Sequence, residues 1–377
     1  MRILVILNGA SGGYSGGDLH TIAVINNWAK EHTVTLLLPA GSSHAIRQSV
    51  DGRIAIRGRK VSEESIGRVR LLARYVVRSI NASIFVLRGA NQWDVVVASS
   101  HYAFDLLPMM LDGSSRRIVY WHHHAERLAQ RPTWVRVLVK LSESWSTVLL
   151  RRSRALVFTS NSQTFNYLVS RGISRKQVVL TQNGPSLVFA AVSDLNRGNV
   201  DASPSPSTPH RTVLFCGRLS RLKGTRDIAS IAPSLTRPPH DARLILIGQD
   251  GDGAESLKSI LAPEIAEGRV IVAGFVDEAT KARLFREAHV LASPSYEEGW
   301  SIAVGDGLAA GCWVVAYDIP AVREAFPVGP RYVPVGDSQA LFSEVLHSLT
   351  LPRPNRPFVP VTWEDIAERE MNAICRS

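Results

Sequence analysis

Short, continuous apolar runs recur along the chain, each followed by a stretch with helical spacing, and that alternation limits the folds open to it. In the first half Ile3–Leu7, Thr33–Leu38, Asp94–Ser99, Arg117–Trp121, Ala155–Thr159 and Val178–Thr181 read as strands. Most have no alternating polar residue and so no solvent face. Strands buried on both sides and alternating with helices make a parallel sheet covered by helices on either face. The rhythm resumes at Thr212 and continues through Leu244–Gly248, Val270–Val276, His289–Ser293 and Trp313–Ala316. Between the two series, residues 193–210 (SDLNRGNVDASPSPSTPH) have the Ser/Pro/Asn-rich composition of a linker. The 377 residues are therefore expected to form two α/β domains, 1–192 and 211–361, with a terminal helical segment, 362–377.

Charge is divided unevenly between these halves. Residues 1–190 hold 24 Lys and Arg against 10 Asp and Glu, and residues 191–377 hold 19 against 23. A cationic first half suits an anionic surface or substrate. Glu64–Ile80 places Arg70, Arg74 and Arg78 at i, i+4 and i+8, and Trp134–Arg154 sets Arg136, Lys140, Arg151 and Arg152 beside Trp134 and Trp145. Basic faces beside apolar residues suit helices lying on an anionic membrane; the plainer reading is the solvated side of sheet-covering helices. No helix-turn-helix, zinc or RNP-like motif accompanies the charge, so nucleic acid is not expected as a partner. No apolar run reaches the ~18 residues of a membrane span, and MRILVILNGASGG enters a glycine loop too early for a signal peptide. Cys216, Cys312 and Cys375 show no metal spacing and read as reduced thiols. The expected location is the cytoplasm, with any membrane contact peripheral.

Several segments carry chemistry. In 291–311, LASPSYEEGWSIAVGDGLAAG, a buried strand leads to Glu297, Glu298 and Gly299, and a helix follows from Trp300. A helix N-terminus opening at a glycine turn offers free N–H groups to an anion. Glu298 and Asp306 are eight apart, which can set both on one side of a ligand. Carboxylates accept from hydroxyls while N–H groups face phosphate, a combination that suits a sugar nucleotide. In 213–224 a strand runs into Gly217, Arg218, Arg221, Lys223 and Gly224. The guanidinium fork and the ammonium point charge suit a diphosphate; the alternative is a solvated basic turn. The glycine run 9–17 follows the first strand, where close backbone approach suits phosphate, or where it is merely a connection. His122, His123 and His124 are adjacent, so they do not converge on one ion, and no HExxH spacing is present. Asp250-Gly251-Asp252 reads as turn chemistry rather than a metal site.

Pro294-Ser295-x-x-Glu298-Gly299-Trp300-Ser301-Ile302 with Asp306 and Ala310-Gly311, and Gly217-Arg218-Leu219-x-x-x-Lys223-Gly224, together resemble retaining glycosyltransferases of the GT-B fold, family 4 type. The resemblance spans most of the chain and is strongest over 211–326. Asp306 stands for the family's second glutamate, and Gly307 occupies a place where a helix former is usual. Asn183-Gly184 is followed by Pro185 and Ser186, where the family often continues to an aspartate.

The resemblance implies two Rossmann-like domains facing a central cleft, with the 362–377 helix returning to the first. It implies transfer of a sugar from a nucleotide-sugar donor to a glycan or lipid-linked acceptor, without a required metal or other cofactor. Residue by residue, it implies that Arg218 and Lys223 hold the donor diphosphate and stabilise the leaving nucleotide. Glu298 would hold sugar hydroxyls, and Asp306 the ribose at shorter reach. N–H groups of Trp300, Ser301 and Ile302 would face sugar or phosphate, and Phe275 and Val276 would meet the base through the backbone. Gly16 and Gly17 would border donor phosphate and acceptor. His122 would line the sugar, with His123 or His124 as register alternatives. Domain closure would complete the site and exclude water. Two other readings remain open. A non-catalytic nucleotide-sugar-binding protein would bind the donor and never release a nucleoside diphosphate. A basic nucleic-acid-binding protein would bind oligonucleotide with steep salt dependence.

Overall fold

The computed structural model describes residues 1–8, 15–39, 44–58, 68–89, 91–113, 115–122, 133–186, 211–354 and 361–377. The 193–210 linker, His123, His124 and most of the glycine run lie outside them. The described chain divides into two compact units, 1–122 with 133–183 and 363–377, and 184–186 with 211–354 and 361–362.

Unit 1 is built on seven parallel strands: β1 (Arg2–Ile6), β2 (Thr33–Leu37), β3 (Ala55–Arg57), β4 (Val95–Ala98), β5 (Arg116–Tyr120), β6 (Leu156–Thr159) and β7 (Val178–Leu180). Their order is β3-β2-β1-β4-β5-β6-β7. Ile3 to Ile6 and Val95 to Ala98 have no exposed surface, which is why their sequences lack a polar alternate. β3 was not expected: three partly exposed residues at a sheet edge leave no pattern to read. The helices are α1 (Gly16–Trp28), α2 (His44–Gln48), α3 (Arg68–Arg88), α4 (Ala103–Met110), α5 (Thr133–Arg152) and α6 (Ser162–Ser170). α1 starts where it does because Ser15 and Asp18 form a capping box: Ser15 Oγ accepts from the Asp18 N–H at 3.1 Å, and Asp18 Oδ2 accepts from the Ser15 N–H at 3.0 Å.

The basic stretches fold as helices; Lys140, Trp145, Arg151 and Arg152 of the second face outward as expected, whereas the first departs from expectation at Arg78. Arg78 is buried, and its Nη1 donates to the Asn8 carbonyl at 3.1 Å. The exposed stripe of α3 is instead Val77, Ile80, Ile84 and Leu87, and α5 exposes Val137, Leu141 and Val148 beside Trp145 and its cations. The side chains of Arg70, Arg74 and Trp134 lie outside the described residues.

Unit 2 has six parallel strands, β8 (Thr212–Cys216), β9 (Arg243–Ile247), β10 (Val270–Gly274), β11 (Val290–Ser293), β12 (Trp313–Tyr317) and β13 (Arg331–Val333), ordered β10-β9-β8-β11-β12-β13. Its helices are α7 (Thr225–Thr236), α8 (Ala254–Ile260), α9 (Ala262–Ala266), α10 (Glu278–Glu287), α11 (Ile302–Ala309), α12 (Pro320–Ala325) and α13 (Ser338–Thr350). Gly307, out of place as a helix former, is explained by packing: a Cβ there would stand 2.7 Å from Leu291 Cδ2 and 3.1 Å from Val314 Cγ2. The helix can lie this close to β11 and β12 only without a side chain.

The last helix, α14 (Trp363–Cys375), belongs to unit 1 and packs on α1. Trp363, Ile366, Ala367, Glu370 and Ile374 form its buried side, and Trp28 Nε1 donates to the Ala367 carbonyl at 3.0 Å. Both units are thus Rossmann-like. Strand order reverses between β1 and β4 in one and between β8 and β11 in the other. In such sheets the crevice at the strands' carboxyl ends, at the reversal, is where ligands bind.

Candidate functional site

In unit 2 the candidate residues gather at the β8/β11 reversal. The loop after β8 turns at Gly224, where φ is 74° and any Cβ would run into the Pro294 carbonyl, so no other residue fits. The Tyr296 N–H donates to the Leu222 carbonyl at 2.8 Å, so this loop and the one after β11 are joined. That junction brings together two residues far apart in sequence: Lys223 Nζ lies 2.5 Å from Glu298 Oε1, and Ser295 Oγ donates to the same oxygen at 2.8 Å. Arg218 is exposed on the β8 loop. Asp250 pairs with Lys258 at 2.7 Å and Asp252 accepts the Arg221 N–H at 3.0 Å, so both carboxylates of the Asp-x-Asp string hold turns.

The helix after Glu298 opens at Ser301, a buried residue in the left-handed region with φ 71°. A non-glycine residue there carries strain of about 1–3 kcal/mol, of the kind that collects at functional turns. Trp300 sets its ring edge on Phe326 at 5.8 Å, and Ile302 begins α11. Phe275 is half-exposed after β10, and Val276 packs on the core.

Asp306 does not join Glu298. Its side chain has no exposed surface; Oδ1 accepts the Ser186 N–H at 2.7 Å and Oδ2 lies 3.0 Å from Lys281 Nζ. Burial alone would depress the Lys281 ammonium, but the Asp306 carboxylate, with Cys216 and Glu278, more than reverses this and holds it above the usual lysine range. Burial pushes the nearby Cys216 thiol up to about 11, so it stays protonated near neutral pH. The sequence reading missed Lys281. Its signal was a cation on the apolar side of a helix, one turn before buried Leu284 and Phe285.

In unit 1, Gly16 and Gly17 form the first turn of α1, and His122 follows β5. A Cβ on Gly17 would stand 2.6 Å from His122 Cδ2, so these residues are in direct contact. The His122 ring stacks on Tyr120 (centroids 5.5 Å, planes 5° apart) and meets the edge of His20 at 5.5 Å. His20 is fully buried, with Nδ1 2.6 Å from Asn183 Oδ1 and Nε2 3.0 Å from Glu370 Oε1. Behind the β1 end, Asp105 accepts from the Asn8 N–H at 3.0 Å and the Ser100 hydroxyl at 2.6 Å. Burial outweighs these bonds and raises its carboxyl to about 7.

Residues 210–350 match the family described as glycosyl transferases group 1. The chain has the GT-B fold, and the match to the group 1 family lies within its second unit. The GT-B likeness covers the whole chain in solved structures. Sucrose-phosphate synthase from Thermosynechococcus elongatus matches with TM-score 0.71 at 18% identity, over 100% of this chain and 98% of that one. The Anabaena protein HepE, solved in complex with UDP, matches with TM-score 0.65 at 15% identity over 100% of both. Among curated proteins, a phosphatidyl-myo-inositol mannosyltransferase of Mycolicibacterium smegmatis is 34% identical over 140 residues, 36% of this chain. A GDP-mannose:cellobiosyl-diphosphopolyprenol alpha-mannosyltransferase of Xanthomonas oryzae pv. oryzae is 29% identical over 153 residues, 40% of this chain. These matches span 35% and 40% of the relatives' own lengths.

Proposed function

We propose that the protein is a retaining glycosyltransferase that moves a sugar from a nucleotide-sugar donor to a lipid-linked or other glycan acceptor. The observation that carries the reading is the Lys223–Glu298 contact of 2.5 Å at the β8/β11 reversal, with Arg218 on the same loop. Diphosphate-binding cations and a hydroxyl-accepting carboxylate thus share one crevice mouth. In this reading Arg218 and Lys223 take the donor diphosphate and offset the charge that grows on it as the glycosidic bond breaks. Phosphate oxygens would compete with Glu298 for the Lys223 ammonium, freeing carboxylate capacity for sugar hydroxyls. The N–H groups of Trp300, Ser301 and Ile302 add donors at a helix start. Phe275 and Val276 meet the base, Gly16 and Gly17 border phosphate and acceptor, and His122 faces the sugar; Asp306, buried on Lys281 and the Ser186 N–H, is not available to the ribose. The leaving phosphate assists deprotonation of the acceptor on the same face, so the anomeric configuration is kept.

The lipid-linked acceptor class is supported by the activities for which the two curated relatives are named, and by the apolar outer stripes of α3 and α5 in a unit rich in cations. Among the described residues no helix is long and apolar enough to cross a membrane, so contact of this kind is with a surface. Vesicles containing anionic lipid should bind the protein, and neutral ones should not; equal failure of both removes the membrane part.

A thermal-shift screen of nucleoside diphosphates identifies the donor base, and release of that diphosphate from the matching nucleotide-sugar with acceptor present tests catalysis. Arg218→Ala with Lys223→Ala should abolish release while the fold persists; near-normal release in the double variant refutes the assignment. Product NMR showing an inverted anomeric centre refutes retention.

A further inference from the structure

We infer that Glu370, on the terminal helix α14, is a positioning residue for His122, acting through Tyr120 and His20. The inference rests on the assignment of His122 to the donor sugar. The Glu370 side chain is buried and receives three donors. The Tyr120 hydroxyl donates to Oε2 at 2.5 Å, while the Thr181 hydroxyl at 2.5 Å and His20 Nε2 at 3.0 Å share Oε1. Burial, and then the Glu370 charge, raise the Tyr120 phenol well above its ordinary range, so it remains a donor. The other ring nitrogen of His20 is held by Asn183, and Trp363 meets the His20 ring at 5.4 Å.

Tyr120 and His20 are therefore fixed on the sides away from His122, and their remaining surfaces form its seat. Tyr120 lies parallel to the imidazole at 5.5 Å, His20 meets it edge-on at 5.5 Å, and Gly17 leaves room on a further side. A shift of those two rings therefore shifts the surface on which the His122 ring rests. Removing the carboxylate leaves a buried phenol and a buried imidazole N–H without their acceptor, a condition costly enough that the rings turn to find new partners. The seat then shifts. His20 also contacts Asn183 and Trp363, where one segment of unit 1 ends and another begins.

The test uses the full chain with Glu370→Ala, Glu370→Gln and Trp28→Phe. The last removes the Trp28–Ala367 bond to the same helix without touching Glu370, Tyr120 or His20. Two quantities are read: imidazole resonances of the ¹⁵N-histidine-labelled protein, and turnover of the donor found by screening. Glu370→Ala should move the His122 resonances and lower kcat roughly 30- to 100-fold, as expected for a displacement of about 1 Å at a reacting group. Its Kd for the nucleoside diphosphate should stay within about twofold. Glu370→Gln still accepts from His20, and should recover most of the kcat and keep His122 nearer its wild-type resonances. Trp28→Phe should match wild type in both. Unmoved His122 resonances in Glu370→Ala overturn the inference, and so does an equal kcat loss in Trp28→Phe, which would reduce Glu370 to docking the helix. Should Glu370→Ala not fold, Glu370→Met, which removes the acceptor but keeps the volume, decides in its place: His122 resonances unmoved from wild type overturn the inference. If the wild-type protein turns over no donor, the glycosyltransferase reading fails, while the resonances still decide whether Glu370 positions the ring.

Discussion

Gly17→Ala adds one methyl group at the contact between α1 and His122. Its Cβ would lie 2.6 Å from His122 Cδ2 and 2.9 Å from Nε2, where ordinary contact starts at 3.4 Å. One partner has to retreat by about 0.8 Å or more. Tyr120 lies parallel to the imidazole and His20 meets it edge-on, both with centroids 5.5 Å away, so the ring yields by sliding or tilting against these neighbours. The backbone consequence has the opposite sign: alanine in a helix is favoured over glycine by ~1 kcal/mol, offsetting part of the clash. Stability should therefore change little while the position of the ring changes. A displacement near 1 Å at a group facing the reacting centre costs ~100-fold in rate, or about 2.7 kcal/mol in transition-state binding. The assay is release of nucleoside diphosphate from the donor with acceptor present, read beside a thermal melt and a nucleotide titration. We expect kcat/KM to fall about 100-fold, with Tm within a few degrees of wild type and nucleotide affinity largely retained, because Arg218 and Lys223, proposed to hold the diphosphate, belong to unit 2. Wild-type turnover in Gly17→Ala would refute the reasoning, since it would mean that the location of His122 is immaterial. An equal loss of nucleotide affinity would refute it too, by showing damage beyond unit 1.

Three further outcomes follow from buried groups. Lys281→Met leaves the Asp306 carboxylate buried with only the Ser186 N–H, and should destabilise by ~3–5 kcal/mol in urea denaturation; a loss under 1 kcal/mol would show that water reaches Asp306. Asp105 holds its proton to about pH 7 when folded, against an ordinary 3.8. Its contribution to stability is thus complete below about pH 4 and is lost as pH rises through 7, at most ~4 kcal/mol by linkage. Asp105→Asn should flatten the stability profile between about pH 4 and 7, and an unaltered slope would exclude Asp105 as its source. Gly307→Ala meets Leu291 and Val314, and should lower stability by ~1–3 kcal/mol despite the better helix former; a raised Tm would show that α11 can lift off the sheet at little cost.

How far the chain could be read depended on whether the information was local. Strands buried on both faces announce themselves as unbroken apolar runs, so β1, β4 and β8 were legible, while β3 and β13, three residues each, were not. The stripe of Arg70, Arg74 and Arg78 identifies an amphipathic helix but not its inner side. Pattern alone turns arginine toward water, yet Arg78 finds the Asn8 carbonyl and leaves valine, isoleucine and leucine outside. Lys223 and Glu298 stand out through the resemblance; their contact was not derivable from spacing, since it depends on the parallel pairing of β8 with β11.

Lys281 and Glu370 show where reading one element at a time stops. Each is an ionisable residue inside an apolar stripe, and that anomaly is visible in the sequence. A buried charge must find a partner, but the partner is chosen by topology. The α10 crossover between β10 and β11 carries Lys281 to α11, and the return of α14 to unit 1 brings Glu370 to a histidine 350 residues away. The sharper rule for such a chain is therefore to mark every charge on a core-facing stripe before assigning the exposed motifs. In this protein those marks fall beside the two candidate half-sites: Lys281 on Asp306 in unit 2, and Glu370 behind His122 in unit 1.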